Sequence, residues 1–214
     1  MSIFEDISSY LQKGRMAKVK ELVQQALDEG ESPKEILEEG LLSGMNIIGG
    51  KFKNNEVFVP EVLVAARAMN AGVALLKQAL VESGVTSKGR AVIGTVKGDM
   101  HDIGKNLVKL MLEGKGIEVI DLGVDVSSEK FVAAICENKP QLVCCSALLT
   151  TTMGEMKNIV EAIKQAGLRD QVKIMVGGAP ITQKFCESVG ADAYTADAAS
   201  AADRAIEFCL EMIA

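Results

Sequence analysis

Residues 91–122 read AVIGTVKGDMHDIGKNLVKLMLEGKGIEVIDL. A β-branched apolar run from Ala91 to Val96 breaks at Lys97-Gly98-Asp99. From Ile103 to Glu113 apolar residues return at helical spacing, and Glu118 to Leu122 is again a short apolar run. The same alternation continues through helix Ser128–Glu137, strand Leu142–Ser146, helix Met153–Ala166, strand Lys173–Val176, helix Ile181–Val189, strand Asp192–Thr195 and helix Ala198–Met212. Strands separated by helices need right-handed crossovers and therefore lie parallel, buried on both faces. Residues 89–214 are thus expected to form an α/β flavodoxin-like (Rossmann-like) domain with a five-stranded parallel sheet, whose ligands gather at the carboxyl ends of the strands.

Upstream the pattern is helical only. Ile3, Phe4, Ile7 and Leu11 open one helix, and Val19, Leu22, Val23, Ala26 and Leu27 mark the apolar face of a second that stops at Gly30. Ser32, Pro33 and Glu35 read as a capping box opening a third helix, with its apolar face through Ile36, Leu37, Leu41, Leu42, Met45 and Ile48. A loop from Gly49 to Val59 leads to Pro60 and a long helix through Val62, Met69, Val73 and Leu80. Residues 1–84 are therefore expected to form a four-helix bundle, joined to the second domain by the Gly/Ser-rich linker Ser83 to Gly89.

Composition narrows the function. Aromatic residues make up 4% of the 214 residues and there is no Trp, so the core is built from aliphatic residues and ten Met, and a sheet-only protein is disfavoured. Met45 and Met69 read as core filler. A formal charge of -6 opposes any broad nucleic-acid surface, and the acidic stretch Asp28 to Glu39 reads as a solvated helix face. Five cysteines without a Cys-x-x-Cys pair suit a reducing, cytoplasmic setting, and Cys144 and Cys145 sit within an apolar strand as inert thiols. Neither a secretory leader nor a run of roughly 20 apolar residues stands out, so no membrane partner is expected.

Three strand ends carry the candidate chemistry. The first is Gly98-Asp99-Met100-His101-Asp102-Ile103-Gly104, which contains the only histidine in the chain. A neutral imidazole is a common transition-metal ligand, and a carboxylate on its other nitrogen fixes the tautomer; Asp99 is placed for that role. The alternative is a histidine that simply precedes a helix capped by Asp102, and spacing does not choose between them. A single His with scattered Cys does not make a zinc site, so a metal here must bring most of its ligands. At the second strand end, Ser146 could hold the Asp99 carboxylate, and Ser146, Thr150 and Thr152 alternate along one side of an extended segment. At the third, Gly177-Gly178 lets backbone approach a bulky ligand.

Asp99-x-His101-x-x-Gly104, followed by Ser146-x-Leu148 and then Gly177-Gly178, resembles the cobalamin-binding domain of cobalamin-dependent methionine synthases and of the corrinoid proteins of methyl-transfer systems. Asp121-Leu122-Gly123-Val124 fits the same pattern, and the helical half resembles the cap domain that accompanies it. The resemblance implies a corrinoid bound base-off, with His101 replacing dimethylbenzimidazole as the lower cobalt ligand and cobalt alternating between Co(I) and methyl-Co(III). It implies an Asp99–Ser146 relay behind His101. The displaced nucleotide tail would run beside Gly104, Ser146, Leu148, Thr150, Gly177 and Gly178; Gly98, Met100, Asp102, Ile103 and Thr152 would also contact the cofactor, and Phe52 and Val59 would lie over the upper corrin face.

The implied role is a methyl-carrying subunit, not an enzyme by itself. A substrate-specific methyltransferase acting on a methylamine, a betaine or other quaternary amine, methanol or a methyl ether would load it. A second methyltransferase would unload it to tetrahydrofolate or a thiol, and a reductive activation protein would restore it. The alternative is a cobalamin-sensing regulatory protein, which needs a DNA-binding module for which the stretch before the bundle offers no room. A phosphoacceptor receiver would place Asp where Ser146 stands, and a flavodoxin would leave His101 without a role.

Overall fold

The computed structural model describes residues 2–84 and 87–213; Val85 and Thr86 of the expected linker lie outside the described residues. Two compact units emerge, Met1–Ser87 with Gly114–Gly116 and Lys88–Glu113 with Ile117–Ala214.

In the first unit, α1 (Ile3–Gln12) starts at a reciprocal capping box: the Ser2 hydroxyl accepts the Glu5 N–H and the Glu5 carboxylate accepts the Ser2 N–H. Then come α2 (Met16–Asp28), α3 (Pro33–Glu35), α4 (Ser43–Lys53) and α5 (Val59–Glu82). Ser32 does precede α3, but its side chain makes no capping bond, so the expected box there is not formed. Between α3 and α4 the chain runs through a π-helical segment, Ile36–Leu42, in which Ile36, Gly40, Leu41 and Leu42 are buried. Gly40 and Gly44 lie where a Cβ would come within 3.1 Å of Ile7 and of the Ser8 backbone, so their small size lets α1 pack closely. The expected loop from Gly49 is shorter: α4 continues to Lys53.

Ile7, Leu11, Val19, Ile36, Leu41 and Leu76 are fully buried in this unit, each contributing roughly 1.5–3 kcal/mol relative to exposure. Met45 and Met69 are core, as expected. Contrary to the sequence reading, α5, at 24 residues, is long enough for a membrane span, and its most apolar 18-residue stretch has a mean hydropathy of 1.4. Its alanines raise that value, while Val62, Ala65, Ala66, Met69 and Leu76 pack inward and Arg67, Lys77 and Gln78 are exposed.

The second unit holds β1 (Gly89–Thr95), α6 (Ile103–Gly114), β2 (Ile117–Asp121), α7 (Ser128–Asn138), β3 (Leu142–Ser146), α8 (Glu155–Gln165), β4 (Lys173–Gly177), α9 (Gln183–Val189), β5 (Ala193–Tyr194) and α10 (Ala198–Ile213). All strand pairs are parallel, in the order β2-β1-β3-β4-β5. This is the doubly wound order, and it reverses direction between β1 and β3. On one face Val92, Val143, Cys145, Ile174 and Val176 pack with Phe131, Ile135, Ile159 and Ile163 of α7 and α8. On the other, Ile93, Cys144 and Met175 form a row across β1, β3 and β4.

Candidate functional site

The loops leaving β1 and β3 flank the reversal point, and the structure brings Asp99 and His101 of the first onto residues 148–152 of the second. Asp99 is fully buried. Its Oδ1 lies 2.7 Å from His101 Nδ1 and accepts the His101 backbone N–H at 3.1 Å. Its Oδ2 accepts from the Leu148 N–H at 2.8 Å, the Leu149 N–H at 3.2 Å and the Thr152 hydroxyl at 2.8 Å. Burial alone would raise the Asp99 pKa, but hydrogen bonds from His101, Leu148 and Thr152 outweigh it and hold the carboxyl well below the usual carboxylate range. An ionised carboxylate only accepts, so His101 Nδ1 carries the proton, and Nε2 is the nitrogen whose lone pair a neutral imidazole would present. The imidazole is half exposed, and no described residue bonds to Nε2.

Ser146 does not take the expected place in this relay. It ends β3, in register with Thr95 and Gly177, whereas Thr152 donates to Asp99. The extended alternation of Ser146, Thr150 and Thr152 is likewise replaced. The Thr152 and Met153 N–H groups both donate to the Leu149 carbonyl, so the chain turns after Leu149, leaving Thr150 exposed and burying Thr152. Periodicity along a strand carries no signal for such a turn.

His101 directly precedes Asp102 and α6; the Asp102 carboxylate accepts from the Asn106 side chain at 3.0 Å rather than from a backbone N–H of the first turn, and the imidazole is turned to Asp99. Around it Met100, Ile103, Leu148 and Leu149 form an exposed apolar collar, with Met100 and Ile103 68% and 76% exposed. Such a cluster at a strand-end crevice suits the covering of a flat apolar ligand.

Beside the collar lies a cavity of about 290 Å³, walled by α6, the β1-β3-β4 face and the start of α10. Gly104, Ser146, Gly177 and Gly178 line it; Leu107, Val108, Leu112, Cys144, Met175 and Tyr194 line it too and were not among the candidate binding residues. Their signal is the shared strand parity of Cys144 with Ser146 and of Met175 with Gly177. A Cβ at Gly104 or Gly177 would meet open space. Gly178 serves the fold instead: it has φ 128° and a Cβ there would meet the Ala147 carbonyl oxygen. Burial pushes the Cys144 thiol up to about 12, with Cys209 adding to it, so the cavity floor offers no thiolate. Lys105, 3% exposed, pairs with Asp121 at 2.6 Å and joins the start of α6 to the end of β2.

Phe52 lies in the last turn of α4 and Val59 begins α5, both half-buried, and Phe58 between them is 65% exposed. Among the described residues no group of three or more His, Cys, Asp or Glu could hold a metal ion.

Two family models match the chain, both described as a B12 binding domain, over residues 89–206 and 3–77. A dimethylamine corrinoid protein of Methanosarcina barkeri is 47% identical over 176 residues, 82% of this chain and 83% of that protein. A corrinoid protein of Desulfitobacterium hafniense (strain Y51) is 38% identical over 216 aligned residues, covering 100% of this chain and 98% of that one. Among solved structures, the methanol:cobalamin methyltransferase complex MtaBC from Methanosarcina barkeri superposes with a TM-score of 0.88 at 30% identity, over 97% of this chain and 80% of the matched one.

Proposed function

Because the chain belongs to the corrinoid proteins built on B12-binding domains, we propose that it carries a methyl group on the cobalt of a corrinoid whose lower axial ligand is His101 Nε2. The observation that carries this reading is the free Nε2, set by a buried carboxylate inside an apolar collar and beside a cavity into which a ligand can extend.

When bound, the corrinoid supplies four equatorial nitrogens and a cobalt that takes up and gives off methyl. The chain's part is to complete one axial position and to govern its strength. Asp99 keeps the proton on Nδ1, makes Nε2 a better donor, and can stabilise an imidazolium when that nitrogen is released. Thr152 and the Leu148 and Leu149 amides keep Asp99 ionised and still. Met100, Ile103, Leu148 and Leu149 exclude water from the ring's lower face. The cavity lined by Gly104, Ser146 and Gly177 would hold the displaced nucleotide tail of a base-off corrinoid.

The partners we assign are a substrate-specific methyltransferase that loads the carrier, a second methyltransferase passing methyl to tetrahydrofolate or a thiol, and a reductive activation protein. The relative named for dimethylamine supports a methylated amine as the donor. Reconstitution with hydroxocobalamin tests the reading. The expected result is the visible spectrum of a nitrogen-ligated corrinoid in the wild type that shifts to the base-off form in His101→Ala, together with methyl transfer when an amine methyltransferase is added. An identical spectrum in the variant, or no uptake of pigment by the wild type, rejects it.

A further inference from the structure

The geometry points to Asp125, on the turn after β2, as a positioning residue for the His101 ligand, an inference whose functional consequence rests on the corrinoid reading above. Residues 97–102 belong to no strand or helix, and Gly98 takes φ 79° there. Asp125 grips this loop twice: its N–H donates to the Asp99 carbonyl at 3.0 Å, and its carboxylate accepts the Gly98 N–H at 2.7 Å. Two further bonds join the same segments, Thr95 N–H to Gly123 O and Val126 N–H to Thr95 O, but both end at Thr95. From the turn after β2, Asp125 therefore holds the part of the loop leading into Asp99 and His101.

Asp125 does this from φ 52°, in the left-handed region that Asp, Asn and Gly enter more readily than other residues. A strained residue whose donor and acceptor both engage one neighbouring segment is set by that segment. The buried Asp99 carboxylate must meet His101 on one oxygen and the 148–152 turn on the other, so slack in the Gly98–Asp99 backbone would be felt at the imidazole. Asp125 touches neither His101 nor the ring; it acts through the loop.

Three variants of the full chain separate the two contributions. Asp125→Asn keeps an acceptor oxygen and tolerates the backbone angle; Asp125→Gly keeps the angle and loses the acceptor; Asp125→Ala loses both. Hydroxocobalamin is titrated into each, following the visible spectrum, and amide hydrogen exchange at Gly98 is measured without corrinoid. The expected result is wild-type behaviour for Asn. Gly and Ala should bind roughly tenfold more weakly, the size of one charge-assisted hydrogen bond, with the bound spectrum shifted toward that of His101→Ala and faster exchange at Gly98. An unchanged bound spectrum in Gly and Ala, whatever their melting temperatures, overturns the inference, as does wild-type affinity in Gly. If the wild type shows no His101-dependent spectrum, the ligation reading fails, and exchange at Gly98 still decides whether the clamp exists.

Discussion

Asp99 is the residue on which the site's chemistry and stability meet. Its folded pKa lies below that of an unfolded Asp, so the carboxylate contributes stability that is fully present above the unfolded value and lost as pH falls toward the folded one. Asp99→Asn should therefore be less stable than wild type at pH 7, with the difference narrowing as pH drops from about 5 toward 2. Urea titrations across that range check it, and parallel stability curves would mean that the carboxylate is not held ionised. Thr152→Val removes one of the donors to Oδ2 and should cost about 1.5–3 kcal/mol at pH 7, because the acceptor is charged and buried. Ser146→Ala, outside that network, should cost much less in the same denaturation experiment.

At the level of elements, the legibility of the sequence followed the range of the forces involved. Strand β3 was readable to the residue, Leu142–Ser146, because a continuous apolar run bounded by polar residues is a local signal. The cavity wall was half legible: Gly104, Ser146 and Gly177 stand at strand and helix ends, while Leu107, Leu112 and Met175 look like ordinary core until α6 and the sheet are placed. The π-helical run left no separate local signal, because Ile36, Leu37, Leu41 and Leu42 read as one ordinary helical face. Thr152 was found but misassigned, since its turn depends on Asp99 in another loop. Because Gly104 has open space where a side chain would grow, Gly104→Val should fold with near-wild-type stability while obstructing the cavity. Cobalamin affinity should fall at least about tenfold, and affinity for cobinamide, which lacks the nucleotide tail, should fall much less. Equal losses for both ligands would remove the tail from this cavity. Gly178→Ala has the opposite character: its Cβ meets the Ala147 carbonyl, and a loss of at least about 2 kcal/mol is expected before any ligand is added.

For the whole molecule, the proposed reading, in which a corrinoid is held by one side chain at its metal, assigns most of the affinity to surface and cavity, and this has a measurable signature. A ligand that binds only the folded chain adds about 2.7 kcal/mol of stability at a hundred times its Kd. For a protein of this size each kcal/mol moves Tm by roughly 2–4 °C, so saturating hydroxocobalamin should raise it by about 5–10 °C. With two compact units the melt need not be a single transition, and the shift belongs to the one reporting Lys88–Glu113 and Ile117–Ala214, where His101, its collar and the cavity lie. Calorimetry should show that transition moving with corrinoid concentration. His101→Ala should retain much of the shift, because the collar and the cavity remain, whereas cobinamide, which leaves the cavity empty, should produce less of it than cobalamin in the wild type. A shift that vanishes entirely in His101→Ala would place the affinity in the metal bond, and the apolar collar of Met100, Ile103, Leu148 and Leu149 would then need another explanation.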